Sequence, residues 1–588
     1  MKKFLLQMLS ATAGIFLAIS LVVIIGTVVL ISSVDTSTPS VGNHSLLKIE
    51  LNGPLEERGT SNPMADVIGG AASSLGLDEM LRAIKTAKTD DRIKAIYLKA
   101  GALSASPATL QELRQALTDF RESGKPIVSY GDDYTQGCYY VCSAANRIIM
   151  NPIGSVDWKG LASQPMFLKD VLQKFGVKMQ IFKVGTFKSA VEPYTNTSMS
   201  DANRAQVTSY LGAIWSQMIG DVAKSRGIST TQLQALADSG TVFMRAQMVK
   251  NQKLVDDLKY EKEVEKYLCK LVGVKSVKKM DVLSASDVCA IEKDEKSSSN
   301  KVAIYYAFGD VVSKSKKSLK SGSAISAAEM VDDLADLAED DKVKAVVLRI
   351  NSGGGSAYAS EQIWKAMKDL SAKKPVVISM GGMAASGAYY ISCGTDYIVA
   401  EPTTLTGSIG IFGMFPDVSN LLTEKLGLKF DMVKTGRHAD FGTMSRPLNQ
   451  EEQSLLQAQI QDGYDLFLKR VSEGRKISAD SINKIAQGRV WTGSQAQKIG
   501  LVDELGNLDA AVARAAARAK LTHDDYQLAY YPAQKKWYEQ LLEQKMDGLM
   551  NAKLQSEWGE YYKPFIWLKT LKQRDYIQAR LPYDPNIY

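Results

Sequence analysis

Two side chains far apart in the chain could form a nucleophile and its base, Ser386 and Lys188. Ser386 stands in Met383-Ala384-Ala385-Ser386-Gly387, between small residues where a glycine-containing run gives way to a predicted helix. A serine there is sterically open, with neighbouring backbone N–H groups free to face a substrate. The same residues also fit a tight helix start packed under a sheet. Upstream, Asn351-Ser352-Gly353-Gly354-Gly355-Ser356 ends an apolar strand predicted over Ala345–Ile350. Successive glycines let a backbone amide approach a reacting carbonyl oxygen, as an oxyanion hole requires. A serine hydroxyl is a weak nucleophile until a base takes its proton, and a lysine can do so only when neutral. Lowering a lysine pKa from about 10.4 to near 7 corresponds to roughly 4 to 5 kcal/mol, which burial against apolar walls can supply. A solvated loop lysine is the ordinary alternative. Ser408, in Thr406-Gly407-Ser408-Ile409-Gly410, is the candidate hydroxyl for orienting that amine, and a turn serine bonded to its own backbone fits it equally.

The elements that must position these residues occur twice. Thr89–Lys99, TDDRIKAIYLK, matches Glu339–Arg349, EDDKVKAVVLR, with five identities and four conservative exchanges at an offset of 250 residues. Ser129–Pro152 lies against Ser379–Pro402 at the same offset, and Lys125-Pro126 pairs with Lys374-Pro375 one residue out of step. A duplicated α/β unit follows. Strands such as Val376–Ser379, expected to break at Gly381-Gly382, alternate with helices predicted over Leu110–Glu122 and Ser360–Ala372, which argues for mostly parallel sheets covered by helices. The charged, serine-rich stretch Lys293–Lys301 reads as the linker. Loops Glu56–Ser74 and Ser313–Ser323 read as flaps.

The two copies have lost complementary parts. At the position of Ser386 the first has Gln136, and opposite Gly353-Gly354 it has Leu103-Ser104. The second has Ala439 where the first has Lys188. One composite site between the copies is the expectation, with an intrachain pairing the simpler arrangement.

At 588 residues, 45% hydrophobic and 23% charged, the chain is long enough for two or more ordinary globular domains. Its net charge of +7 is dispersed, without the aromatic-interleaved basic stripe of a nucleic-acid binder. After Lys3 no charged residue occurs before Asp35, and the apolar run Gly14–Ile31 is long enough for a hydrocarbon core at about 1.5 Å per residue. The run reads as an uncleaved anchor, N-terminus in the cytoplasm and bulk outside; a cleaved signal peptide is the alternative. The five cysteines read as buried free thiols. Only His44, His438 and His523 are available for a histidine triad or a metal, and none has ligand spacing. No cofactor is expected.

The motifs GTFKSAVEP (185–193), MAASG (383–387), LTGSIG (405–410) and RVWTG (489–493) followed by GLVD (500–503) resemble the signal peptide peptidase A (protease IV) family in its long, duplicated form. The resemblance spans about Leu46 to Ala519. It implies two tandem repeats of the Clp-protease/crotonase-like fold behind one transmembrane helix: an anchor at 1–34, a repeat at 35–295 supplying the lysine and a repeat at 296–534 supplying the serine. The segment 535–588 departs from the family and reads, from its tryptophans and tyrosines, as an aromatic-rich helical extension suited to a partner or the membrane interface, with an ordinary packed C-terminal helix as the alternative. The resemblance further implies a membrane-anchored serine endopeptidase of the bacterial inner membrane, catalytic part periplasmic, degrading signal peptides as a homotetramer. Ser386 would be the nucleophile, Lys188 the base, Ser408 the orienting hydroxyl, and Gly354 and Gly387 the oxyanion amides. Gly353 departs from the proline common in that family. A crotonase-type acyl-CoA enzyme and a non-catalytic scaffold descended from a protease are the alternatives.

Overall fold

The computed structural model describes residues 14, 41–59, 74–291, 298–314, 324–522, 524–533 and 577–581. The predicted anchor apart from Gly14, most of both flaps and of the linker, His523 and most of 535–588 lie outside the described residues. Among those described, no helix is long and apolar enough to cross a membrane.

The first repeat centres on four parallel strands that pair in sequence order: β1 (Ser45–Glu56), β2 (Ile93–Ser104), β3 (Ile127–Gly131) and β4 (Arg147–Met150). Helices α1 (Leu77–Thr89), α2 (Pro107–Arg121) and α3 (Gln136–Cys142) make the crossovers. An edge strand, β5 (Lys178–Lys183), and a long helix, α4 (Asp201–Arg226), follow. The strands carry unbroken apolar runs because helices cover the sheet; all five residues of β3 are buried. Helix α1 turns Leu77, Met80, Ala83, Ile84 and Ala87 inward at helical spacing. Ser106 starts α2 by accepting the Thr109 N–H, with Pro107 in the first turn where its missing N–H costs nothing.

The second repeat repeats the plan. Its core strands are β6 (Lys301–Phe308), β7 (Val343–Ser352), β9 (Val376–Ala385) and β10 (Ile398–Ala400), again parallel and adjacent in that order, with the short β8 (Gly354–Ser356) following β7. Helices α5 (Ala327–Glu339), α6 (Ala357–Lys373) and α7 (Gly387–Ser392) match α1, α2 and α3. Then come β11 (Leu405–Gly407), β12 (Phe412–Asp417) and β13 (Val490–Thr492). The copies share even their buried hydroxyls: Tyr139 donates to the Leu254 carbonyl at 2.8 Å and Tyr389 to that of Leu501 at 2.9 Å.

Three sequence expectations change in detail. The strand from Val376 does not break at Gly381-Gly382 but continues to Ala385. Those glycines serve the approach of the first repeat instead: a Cβ on Gly381 would stand 2.3 Å from Glu57 Oε1, and one on Gly382 2.3 Å from Ser106 Oγ. The one-residue step between the copies persists through the strand, since Leu98 faces Ser129 while Leu348 faces Ile378, so Ser129 corresponds to Ile378 rather than Ser379. Within the predicted C-terminal helix, Ile577–Arg580 is a strand, β14. It lies antiparallel between β8 and β12, whose edges would otherwise carry unpaired backbone groups.

The repeats meet through buried polar groups as well as apolar ones. Arg349 of β7 donates to Glu57 Oε2 at 2.7 Å and Glu112 Oε2 at 2.5 Å, all three side chains nearly inaccessible. Thr403 donates its hydroxyl to Gln111 Oε1 at 2.7 Å. Strand β5 of the first repeat pairs antiparallel along the whole of β12 of the second. The chain leaving β5 therefore delivers Lys188 to the second repeat.

Candidate active site

Ser386 precedes α7 and carries φ +58°, ψ −113°, a backbone conformation costly for a residue with a Cβ. Both flanks hold it there: its N–H donates to the Gly407 carbonyl at 2.8 Å, and its own carbonyl accepts the Tyr390 N–H at 2.8 Å. Ser408 is likewise left-handed, φ +50°, and its N–H donates to the Arg489 carbonyl at 2.7 Å. The β11–β13 ladder thus fixes both serines against one another.

Lys188 arrives from the loop after β5 and is completely buried, as are Ser386 and Ser408. Its Nζ lies 2.7 Å from Ser386 Oγ and 3.1 Å from both Ser408 Oγ and the Ser408 carbonyl, so that a neutral amine can donate to the two Ser408 oxygens and accept from the Ser386 hydroxyl. Burial pushes the Lys188 ammonium well below the usual lysine range. The arrangement thus provides an amine able to take a proton, within hydrogen-bond reach of a hydroxyl able to lose one.

The predicted glycines gather at the same place. A Cβ on Gly354 would stand 2.6 Å from the Gly387 nitrogen, so these two residues are in close apposition. Gly354 itself has φ +94°, and its N–H donates to Ser352 Oγ at 3.0 Å. Gly354, expected to offer an oxyanion amide, thus also supplies a left-handed turn beside Gly387. Gly355, which the sequence reading left without a role, lies opposite Ala579 in the same ladder, one step from the Leu581 N–H that donates to the Gly353 carbonyl.

Other contributors were not singled out from sequence. Gln206 of α4 donates to the Phe187 carbonyl at 3.1 Å and to Ser189 Oγ at 2.9 Å, while its Oε1 accepts the Val490 N–H at 3.2 Å. It ties the lysine loop to β13. Glu192, within the quoted motif, braces the loop's exit by accepting from Ser200 Oγ at 2.6 Å and Asn203 Nδ2 at 2.9 Å. The Arg489 guanidinium stacks between Phe187 and Trp491, 5.1 and 4.2 Å from their ring centres. Glu192 could have been flagged as the one carboxylate of the quoted motif, whereas Gln206 lies beyond it in α4 and carries no signal of its own.

In the first repeat the position of Ser386 is sealed. Gln136 Oε1 accepts the N–H groups of Lys159 and Gly160 at 2.9 Å each, and its amide donates to the Gly160 carbonyl. Ala439, the counterpart of Lys188, is exposed. His44 donates to the Val272 carbonyl, and His438 lies near Glu451 on the surface. All five cysteines are buried and free.

Comparison with known proteins gives this arrangement its class. The pattern of peptidase family S49 matches residues 119–275 and again 368–522, and that of Clp protease matches 316–403. Protease 4 of Salmonella typhi is 38% identical over 499 residues, covering 82% of this chain and 79% of that protein. Protease 4 of Haemophilus influenzae is 37% identical over 454 residues, with 74% and 72% covered. The chloroplastic serine protease SPPA of Arabidopsis thaliana is 32% identical over 454 residues, with 76% and 66% covered. The protein is a serine peptidase on a Clp-protease-like fold. More narrowly, the chain belongs to peptidase family S49, whose pattern it carries twice.

Proposed function

We propose that this is a membrane-anchored endopeptidase that degrades signal peptides and other extended apolar peptides with a Ser386–Lys188 dyad. The observation that carries the reading is the 2.7 Å contact between the Lys188 amine and the Ser386 hydroxyl, both fully buried. In acylation neutral Lys188 takes the Ser386 proton as Oγ attacks the peptide carbonyl carbon. The Gly387 and Gly354 amides receive the oxyanion. Lys188 then protonates the leaving amine, and in deacylation it activates water against the ester. Ser408 keeps the amine aimed throughout.

Division into a lysine-supplying repeat over 35–295 and a serine-supplying repeat over 296–534 belongs to the same reading, as does an inner-membrane anchor within 1–34 with the catalytic part periplasmic. Assembly as a homotetramer is supported by the exposed apolar side chains of Leu426, Phe430 and Val433, which are of the kind subunit contacts cover. A fluorophosphonate probe followed by peptide mapping tests the dyad. The expected result is an adduct on Ser386 that disappears in Lys188→Ala; labelling elsewhere, or undiminished labelling without the lysine, overturns it.

A further inference from the structure

Gln206 lies in the second turn of α4, against the loop that carries Lys188, and is 1% exposed. Its amide nitrogen donates to the Phe187 carbonyl at 3.1 Å and to Ser189 Oγ at 2.9 Å, the residues on either side of Lys188. Its oxygen accepts the Val490 N–H at 3.2 Å. Val490 pairs with Gly407, whose carbonyl accepts the Ser386 N–H, and the neighbouring Arg489 carbonyl accepts the Ser408 N–H. A single side chain of the first repeat thus spans the lysine loop and the strand that fixes both serines.

The orientation of this amide is dictated by its neighbours. Turned over, it would set its oxygen against the Phe187 carbonyl and its N–H groups against the Val490 N–H. The Glu192 carboxylate accepts from Asn203 Nδ2 at 2.9 Å, which turns the Asn203 oxygen toward Gln206, 3.1 Å from its nitrogen. Hydrogen bonds therefore run in one sense from Val490 through Gln206 and Asn203 to Glu192. All three side chains are buried, so a lost partner is not replaced by bulk water. The other copy supplies a comparison. Its matching helix, Gln450–Arg475, also has 26 residues and follows the cap Asn449 as α4 follows the cap Ser200. Counting from the caps sets Leu455 in the place of Gln206, and Leu455 is 57% exposed. The copy without the lysine lacks this clamp as well.

We propose that Gln206 is a positioning residue of the dyad, whose amide fixes the depth at which Lys188 enters the second repeat and keeps water from its amine. This rests on the Ser386–Lys188 reading of the site. Burial holds the Lys188 ammonium well below the usual lysine range. The charged side chains packed on the loop are Lys183, which reaches the Lys188 carbonyl at 3.5 Å, Arg489, stacked on Phe187, and Glu192. Loosening the loop admits water to the amine, which then keeps its proton to higher pH. Because the base must be neutral, the pH below which activity declines moves up with it.

Steady-state kinetics across pH on a fluorogenic apolar peptide test this for wild type, Gln206→Met, Gln206→Glu and Ser209→Ala, with circular dichroism on each preparation. Ser209, also on α4, accepts from Gln495 Nε2 at 3.1 Å, a bond between the repeats that involves no residue of the loop. In Gln206→Met, kcat per folded molecule should fall by about 100-fold with KM nearly unchanged, the order of loss for a reacting group displaced by about 1 Å. The acid limb of kcat should rise by about one pH unit or more. Gln206→Glu keeps the acceptor for Val490, loses the donors and sets a carboxylate beside the loop, so its acid limb should rise further. Ser209→Ala should keep the wild-type limb. Activity lost only in proportion to the folded fraction, or an acid limb that coincides with wild type in both Gln206 variants, overturns the proposal and leaves the dyad standing. A limb that moves equally in Ser209→Ala assigns the effect to the repeat interface at large and overturns it as well. Undiminished turnover in Lys188→Ala, run alongside, removes the dyad reading and this inference with it.

Discussion

Gly488 and Lys188 are packed so closely that the glycine has no room for a side chain: a Cβ there would stand 2.6 to 2.7 Å from the nitrogen, Cα and Cβ of Lys188. The glycine also has φ +78°, and its N–H donates to the Ile409 carbonyl at 2.8 Å. It forms the wall that seals the lysine from water.

Gly488→Ala is accordingly expected to displace the Lys188 backbone. Stability should fall by about 1 to 3 kcal/mol, since both overpacking and a strained φ contribute. Peptidase activity should fall far more than the folded fraction, which circular dichroism and turnover measured on one preparation would separate.

Replacing Lys188 by Ala should lower kcat by on the order of 10³-fold or more, because Ser386 loses the one basic side chain within hydrogen-bond reach among the described residues. In wild type, activity should decline as pH falls through the depressed pKa of Lys188, the amine becoming charged, and should hold up toward alkaline pH. A rate that rises on acidification would contradict a neutral lysine base.

The same depressed pKa makes the lysine a stability burden. The folded state holds the amine with fewer protons than the unfolded chain does, so the burden is full below the folded pKa and vanishes above about 10.4. Lys188→Met should therefore be inactive yet more resistant to denaturant at neutral pH, with the gain shrinking as pH rises toward 10. Urea midpoints at several pH values would check the sign.

Ser408 offers the lysine two acceptors, its hydroxyl and its carbonyl, at 3.1 Å each. Ser408→Ala removes only the first, so kcat should drop by about 10- to 100-fold, the order of one hydrogen bond of roughly 1.5 to 3 kcal/mol, with KM nearly unchanged. Steady-state kinetics on a short peptide would read the split.

Arg349 holds the repeats together by neutralising Glu57 and Glu112. Burial keeps the Glu112 carboxyl pKa above its ordinary range. Arg349→Met strands both carboxyls and should cost about 3 to 5 kcal/mol. Because these glutamates belong to the other repeat, protease-accessible separation of the repeats should accompany the loss, visible by limited proteolysis.

The duplication made much of this legible beforehand. Two copies of one α/β unit expose by comparison which positions departed, and Gln136 against Ser386 and Lys188 against Ala439 are departures in opposite senses. That comparison pointed to Ser386 and Lys188, and the structure places the Lys188 amine within hydrogen-bond distance of Ser386 and of Ser408. What escaped was tertiary. Gly381-Gly382 carry the composition of a break, but their role is to admit Glu57 and Ser106 from the other repeat. Gly354 and Gly355 are indistinguishable in sequence, and only the Ser352 hydroxyl on one amide and the ladder register of the other separate them. Ile577–Arg580 has four residues and no pattern beyond its own length, and it is a strand only because two open edges await it.

The pairing of β5 with β12 also sets an order in time. A chain made from its N-terminus presents the lysine-bearing loop first, next to a first repeat whose own nucleophile position is plugged by Gln136. The serine arrives 198 positions later, and Arg489, whose carbonyl pins Ser408, arrives later still. Under the proposed dyad, a nascent chain that ends before Ser386 cannot cut a peptide bond, so the protein stays inert until its second repeat has been made.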